Sequence, residues 1–263
     1  MSDFDRNYTA TRGVGSDRAI AIDEGLRTYM LRVYNTMAIG VALTGVAAWL
    51  AFQLAGGDAI VISGRGMSGL TDFGRFIFSF PAQIVLFLGT LGLVFFVSWR
   101  IDRLNVGTAT MLFMLYAALL GVMLSSIFVV YTHTSITRVF FIASGTFGAL
   151  SLWGYTTKRD LSGFGTFLMM GLMGLMLAIV VNIVLKAFGV ATGPMDFIIS
   201  CAGVLIFAGL TAYDTQTIKE MYDSLDDGTV TGRKALMGAL KLYLDLLNLF
   251  LAIVQLLGGG RRR

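Results

Sequence analysis

Seven long apolar runs constrain the fold of this chain more than any other feature of its sequence. About 20 residues of helix cross a hydrocarbon core about 30 Å thick, and a backbone inside lipid must satisfy its own hydrogen bonds. We therefore predict an all-α fold, that of a polytopic membrane protein. The expected membrane helices, numbered 1 to 7, cover roughly 30–53, 82–99, 106–130, 139–157, 164–187, 196–216 and 238–257.

Composition agrees with a protein whose main partner is the lipid bilayer. Charged residues make up 14% of the 263 positions, against roughly 25% in soluble domains. The basic residues are scattered and form no basic face, so we expect no nucleic-acid partner. A single cysteine, Cys201, and a single histidine, His133, exclude an intrachain disulfide and a Cys/His metal cluster, and no cofactor is expected.

The apolar runs divide the chain into three parts. We expect a polar cytoplasmic tail at 1–26 with no visible cleavable signal peptide, a membrane domain at 27–258, and a short Gly/Arg tail at 259–263. Two longer connections, 54–81 and 217–237, are too short to be separate domains.

The distribution of lysine and arginine predicts how the helices are oriented. The tail with the entrance of helix 1, the connections after helices 2 and 4, and the region between helices 6 and 7 up to Lys241 carry 13 of these residues, and the opposite side carries 4 before the last helix. The amino terminus is therefore predicted to be cytoplasmic. The arginines at 261–263 leave two arrangements open: a full last span gives 13 against 7, and a re-entrant last segment gives 16 against 4.

Two acidic residues, Asp214 and Asp245, lie inside apolar runs of membrane length. A charged side chain at the centre of a membrane helix costs about 2.5–3.5 kcal/mol on insertion scales, so such residues are candidate functional sites with partners to be found. Both are expected in the cytoplasmic half of the membrane, and each is the other's candidate partner. Arg100, at the end of helix 2, is expected in the same layer.

Polar residues recur on one face of helix 7, at spacings of three and four. A polar face in lipid must turn toward protein or water, so we expect this one to look into the bundle. Helix 6 has a shorter version of the pattern, with Thr211, Asp214 and Thr215. The helix 7 face comprises Lys241, Asp245, Asn248, Ala252 and Gln255, and Thr211, Asn248 and Gln255 are the expected supporting polar residues.

Two carboxylates held close together in a dry site cannot both ionise cheaply, so they share a proton and titrate as a unit. Asp214 and Asp245 would then form a proton-sensitive contact and, when ionised, a transient contact for calcium. In the alternative interpretation each carboxylate bonds separately to backbone or threonine groups, or extends to the membrane interface.

Helix 4 contains small residues at close spacing, including Gly148, Ser151 and Gly154. Small side chains allow helix backbones to approach each other, so we expect them to mark helix packing rather than the wall of a pore.

The stretches 207–216 (FAGLTAYDTQ) and 242–251 (LYLDLLNLFL) resemble the last two helices of the Bax inhibitor family, and 155–162 (YTTKRDLS) is similar to the family's turn between helices 4 and 5. The resemblance extends over roughly 27–258. It implies six helices around a more polar seventh, a pH-sensitive calcium-leak activity, Asp214 and Asp245 as the paired aspartates, and Arg100 as the helix 2 arginine. Helix 2 has no carboxylate between Gln83 and Trp99. The resemblance also implies a bacterial inner (plasma) membrane location.

Three functions compete at this point. The first is a leak channel or exchanger for calcium or another cation, gated by the aspartate pair. The second is a non-conducting membrane regulator whose partner is another membrane protein, such as a membrane protease, contacted through residues 1–25. The third is an intramembrane aspartyl protease, which also uses two aspartates. Its second motif places Gly-x-Gly before the aspartate, whereas Leu242, Tyr243 and Leu244 precede Asp245, so we expect no enzyme.

Overall fold

The structure, a computed structural model, describes residues 3–63 and 66–258, and the side chains of 24–62 and 66–258. Helices account for nearly all of this part of the chain. A two-stranded sheet and a 3-10 helix, Gly57–Ala59, lie between the first two helices. In order, the elements are α1 (Asp3–Leu54), β1 (Val61–Ser63), β2 (Gly66–Ser68), α2 (Asp72–Ile77), α3 (Phe80–Arg100), α4 (Val106–Leu124), α5 (Ser126–Val130), α6 (His133–Thr156), α7 (Ser162–Ala187), α8 (Gly193–Glu220) and α9 (Gly228–Leu257).

The prediction of an all-α polytopic membrane protein is confirmed, because seven helical segments are long and apolar enough to cross a bilayer. Six of them belong to α1, α3, α6, α7, α8 and α9. The remaining span, Val106–Val130, combines α4 and α5, which are separated at Ser125. The domain boundary expected at 26 falls inside α1, and the tail expected at 259–263 lies outside the described residues.

The connection expected at 217–237 is wrong. Helix α8 continues to Glu220, and α9 begins at Gly228, so only 221–227 connect them. Asp227 caps α9, because its Oδ1 accepts hydrogen bonds from the backbone N–H groups of Thr229 and Val230, at 2.8 and 2.7 Å. The apolar runs mark only part of each helix, because both helices extend beyond them into polar sequence.

The connection expected at 54–81 contains two short strands and the helix α2. Strands β1 and β2 pair in antiparallel register, with Val61 opposite Ser68. Thr71 caps α2 by accepting a hydrogen bond from the Gly74 N–H, and Ser79 caps α3, which has a proline in its first turn.

Helix α9 is the most buried span. Of its apolar window 61% is buried, against 17–33% for the other six spans. It packs against α8, α1, α6 and α4, and its fully buried side chains include Leu242, Tyr243 and Leu249. Helix α9 therefore lies at the centre of the bundle, among α8, α1, α6 and α4, whereas α3 packs on α4 and α7 packs on α8.

Contacts among the connections define two ends of the bundle. At one end Tyr222 lies against Gly25 of α1, Lys219 donates to the Tyr155 carbonyl at 2.9 Å, and Arg233 donates to the Leu104 carbonyl at 2.8 Å. This end, called the 221–227 end, collects the start of the first span and the connections after α3, α6 and α8. The opposite end, called the 188–192 end, holds the connection between α7 and α8.

Helices α8 and α9 run antiparallel along their whole length. Ile218 lies against Gly238 near the 221–227 end, Gly203 lies against Ala252, and Ser200 donates to Gln255 near the 188–192 end. A re-entrant last segment is therefore wrong, since α9 is continuous and its two ends lie at opposite ends of the bundle.

Candidate functional site: an aspartate pair between α8 and α9

The antiparallel packing of α8 and α9 brings Asp214 and Asp245 to one place. Lys241 Nζ lies 3.6 Å from Asp214 Oδ1, so these two residues face each other across the two helices. Asp245 is four residues beyond Lys241, on the same face of α9 and one turn deeper in the bundle. The carboxyl groups of the two aspartates are close enough to share a side-chain hydrogen bond once one of them carries a proton. Asp245 thus lies deeper in the bundle than Asp214.

Exposure to solvent decreases along the cluster of Lys241, Asp214 and Asp245, from the lysine to the deeper aspartate. The Lys241 side chain is 42% exposed, the Asp214 side chain is 15% exposed, and Asp245 is 5% exposed. Solvent therefore reaches the lysine first and the deeper aspartate least. This gradient runs from the 221–227 end toward the centre of the bundle.

One oxygen of Asp245 is both buried and unpaired. Within the described part of the chain, Oδ2 has no hydrogen-bond partner. A buried acceptor without a partner costs about 1–3 kcal/mol, and more if it is charged. Ionised carboxylates only accept hydrogen bonds, so two of them facing each other need a proton or a cation between them.

A chain of hydroxyl groups runs beside the pair. Tyr34 of α1 lies 2.7 Å from the Ser151 hydroxyl of α6, which lies 2.9 Å from the Thr215 hydroxyl of α8. Thr215 in turn donates to the Thr211 carbonyl at 2.7 Å. These bonds join three helices next to Asp214, and their polar atoms satisfy one another.

Residue Gln216 joins α8 to the turn between α6 and α7. Its Oε1 accepts from the Leu161 N–H and its Nε2 donates to the Arg159 carbonyl, both at 2.8 Å. In the same turn Asp160 accepts hydrogen bonds from Ser162, and these bonds hold the pKa of the Asp160 carboxyl below its ordinary value. The position of α8 is thus fixed at the residue that follows Thr215.

The structure places the other predicted site residues at different points. Arg100 is exposed at the end of α3, and the cation beside Asp214 is Lys241 instead. The Thr211 hydroxyl donates to the Phe207 carbonyl of its own helix at 2.8 Å. Asn248 is half-buried one turn beyond Asp245, whereas Gln255 lies at the 188–192 end beside Ser200. A role for Arg100 at the pair stays a prediction.

Lys241 lies on the predicted polar face of helix 7, but it was not among the predicted site residues. Its spacing of four from Asp245 was the available signal. Ser151 had been interpreted only as a small packing residue, and no pattern indicated its bond to Thr215. As for metals, the side chains that the structure describes, 24–62 and 66–258, include no group of three or more His, Cys, Asp or Glu that could hold an ion.

Comparison with known proteins assigns the chain to a family. The family model described as "Inhibitor of apoptosis-promoting Bax1" matches residues 26–262. The inner membrane protein YbhL of Escherichia coli K12 is 42% identical over 248 residues, which cover 94% of this chain and 97% of that protein.

Similar proteins also occur in other bacteria. A protein of Caulobacter vibrioides is 37% identical, with 99% of this chain and 100% of that protein covered. A membrane protein of Streptococcus pyogenes is 32% identical, with 90% and 94% covered. On these matches, and on its seven apolar spans, the chain belongs to the Bax inhibitor family of integral membrane proteins.

Proposed function

We propose that this protein is a pH-sensitive leak pathway for calcium or a similar cation, and that the Asp214–Asp245 pair gates it. The observation that carries the proposal is the unpaired Oδ2 of Asp245, buried beside a second carboxyl group. A proton shared between the two carboxyl groups stabilises them side by side, and loss of this proton leaves two buried negative charges that repel each other.

Ionisation of both groups supplies the force that opens the pathway. At an effective dielectric constant of about 20, two unit charges about 4 Å apart repel each other by about 4 kcal/mol. Since about 1.4 kcal/mol is a factor of ten, this repulsion shifts a two-state equilibrium by a factor of about a thousand. Helices α8 and α9 then move apart around the aspartate pair, and the two carboxylates become contacts for the cation.

Lys241 moderates this repulsion. Its ammonium group lies beside Asp214 and is partly solvated, so it neutralises some of the charge that appears when the proton leaves. It also lies between the pair and the 221–227 end, where the cluster is most exposed. A cation that passes this point must displace the ammonium group from Asp214.

Calcium entry into dye-loaded proteoliposomes, followed between about pH 6 and 8, tests the proposal over the range that a perturbed carboxyl pair can reach. Asn has nearly the shape of Asp but cannot ionise, so Asp214→Asn and Asp245→Asn should fold and show a flattened pH response. Asp72→Asn is the matched control, because the Asp72 side chain is fully exposed and lies in α2, outside the spans.

Three outcomes separate the competing functions. A pH response in the parent and in Asp72→Asn that is lost in the pair variants supports the gate. A pH-dependent flux that is identical in all four proteins removes the pair from the mechanism. If the parent shows no flux at any pH, a non-conducting regulator takes the place of the leak pathway.

We also propose that the chain resides in an inner membrane with its amino terminus in the cytoplasm. The support is the similarity to the inner membrane protein YbhL of E. coli and the excess of basic residues in the segments at the 221–227 end. In a Cys201→Ala background, a cysteine at Ser68 should react with an impermeant thiol reagent in spheroplasts, and one at Ser224 should not. The reverse labelling would invert the orientation.

Proteolysis is not part of the proposal. Helix α9 is continuous through Asp245, and Leu242, Tyr243 and Leu244 occupy the places where glycines would open a helix for a substrate backbone. Incubation with model transmembrane substrates should give no cleavage products. Products that vanish in Asp214→Asn would establish an enzyme.

A further inference from the structure

A second polar cluster lies at the 188–192 end of the bundle, away from the aspartate pair. Its centre is Asp196 in the first turn of α8, eighteen residues before Asp214 and therefore about 27 Å from it along the helix. The cluster draws on α7, the connection 188–192 and α8, and Gln255 of α9 lies beside it through Ser200.

The Asp196 carboxylate is held by three donors. Its Oδ1 accepts from Asn182 Nδ2 at 2.6 Å and from Lys186 Nζ at 2.7 Å, and its Oδ2 accepts from the Thr192 hydroxyl at 3.4 Å. The Asp196 side chain is 44% exposed and the Lys186 side chain is 51% exposed. Water-borne ions therefore reach this carboxylate directly.

Asn182 supplies the observation that points to a ligand. It is 6% exposed, and its Oδ1 is a buried atom that no described group pairs with. The same amide donates through Nδ2 to Asp196 Oδ1 at 2.6 Å, and a half-turn of the amide group would bring its oxygen to that position beside the carboxylate. A buried amide oxygen in an otherwise apolar helix is costly unless something satisfies it.

We propose that Asp196, Asn182 and Thr192 form a second binding site for a divalent cation of the calcium type, from which the arriving ion displaces the Lys186 ammonium group. Carboxylate, amide and hydroxyl oxygens are the ligands that calcium takes, and water completes its shell at an exposed site. With a single carboxylate, the affinity belongs to the weak class, on the order of 10⁻⁴–10⁻³ M.

Lys186 makes the proposal distinguishable from an ordinary ion pair. If the lysine only joins α7 to α8, its removal changes stability slightly and leaves the calcium affinity unchanged. If it occupies the place of a cation, its removal leaves the carboxylate and the amide oxygen free for the ion. Cation binding then becomes tighter in the variant that lacks the lysine.

The site does not depend on whether the aspartate pair conducts. Its test is therefore made in a chain that carries Asp214→Asn and Asp245→Asn, so that the aspartate pair cannot bind the cation. The purified protein is titrated with terbium, excited through tyrosine, and then with calcium as competitor. Tyr131 is the expected sensitiser, since the charge of Asp196 acts on it.

Lys186→Met should tighten calcium binding about tenfold, which corresponds to removal of about 1.4 kcal/mol of competition, and Lys186→Gln should change it in the same direction. Asp196→Asn should abolish the binding. Tyr131→Phe should weaken the terbium signal while calorimetry still detects calcium. Melting curves of each protein with calcium absent verify that the variants are folded.

Equal calcium affinity in the parent and in both Lys186 variants would overturn the proposal, as would binding that survives Asp196→Asn. The absence of binding in the parent and in both lysine variants would overturn it as well. None of these results depends on calcium flux, so the leak proposal stands or falls separately.

Discussion

Each end of α8 holds an aspartate against a lysine, and the two contacts are built differently. At the 221–227 end, Asp214 is 15% exposed, lies 3.6 Å from Lys241 and faces a second carboxyl group, that of Asp245. At the 188–192 end, Asp196 is 44% exposed, lies 2.7 Å from Lys186 and faces an amide and a hydroxyl. The tighter ion pair is the more exposed one.

The difference shows that burial and a second acid, rather than a lysine, distinguish the candidate gate. A half-exposed ion pair contributes about 0–1 kcal/mol and keeps its charges in water. A buried carboxyl pair must share a proton or separate, because removal from water disfavours each charge and each charge disfavours the other. The same two residue types can thus form a binding site at one end of a helix and a proton-sensitive contact at the other.

The largest expected effect is on stability, and it comes from a substitution that forces α6 away from α8 beside Asp214. A Cβ atom on Gly154 would lie 2.2 Å from the Ala212 carbonyl oxygen, two residues before Asp214. Gly154→Ala should therefore destabilise the bundle by about 1–3 kcal/mol, measured by thermal unfolding in detergent. Gly148→Ala, in the same helix, has no atom within 4 Å of the new Cβ and is the control. Equal stability of the two variants would contradict this packing.

The next effect separates the roles of the two lysines. Lys241 favours the ionised form of the pair, so Lys241→Met should move the pH midpoint of calcium flux to higher pH, by about one unit. The direction is the same whichever form conducts. Lys186→Met should leave the midpoint unchanged, because Asp196 is the only described carboxylate that Lys186 contacts. A shift of equal size in both variants would show that the flux responds to overall charge.

The smallest expected effect concerns only Asp196 and its neighbours at the 188–192 end. Burial, and after it the charge of Asp196, raise the pKa of Tyr131 above its ordinary value. Asp196→Asn removes that charge, so tyrosinate formation at Tyr131 should move to lower pH. The difference in absorbance between each protein and its Tyr131→Phe counterpart measures this titration. Asp214→Asn, at the other end of α8, should not change it, and a change there would mean that the two ends are coupled.

Much of this architecture could be predicted from the sequence. Apolar length identified the seven spans, and the polar face of helix 7 identified the side of α9 that packs on α8, since Lys241, Ala252 and Gln255 all contact it. The extension of α9 back to Gly228 could not be predicted in this way. The first helical turns of α9 precede the apolar run and are polar, and only the cap at Asp227 marks where they begin.

The composition of the site was less predictable, because it depends on how one helix is rotated and shifted against another. Asp214 could have met a cation from α3 or from α9, and only the register of α8 and α9 selects Lys241 over Arg100. The small residues of α6 also diverge: Gly154 meets the backbone of α8, whereas Gly148 meets no atom within 4 Å. Asn182 and Asp196 are fourteen residues apart, and no sequence pattern connected them.

Infrared difference spectroscopy of the carboxyl C=O stretch tests the central claim most directly, because it observes the shared proton itself. Between about pH 6 and 8, the parent should lose a protonated-carboxyl band as the pH rises, and the band should shift in heavy water. Asp72→Asn should keep the band, whereas Asp245→Asn should lose it or move it to a different frequency. A parent spectrum without any protonated carboxyl in this range, or a band unchanged by both Asp214→Asn and Asp245→Asn, would contradict the account.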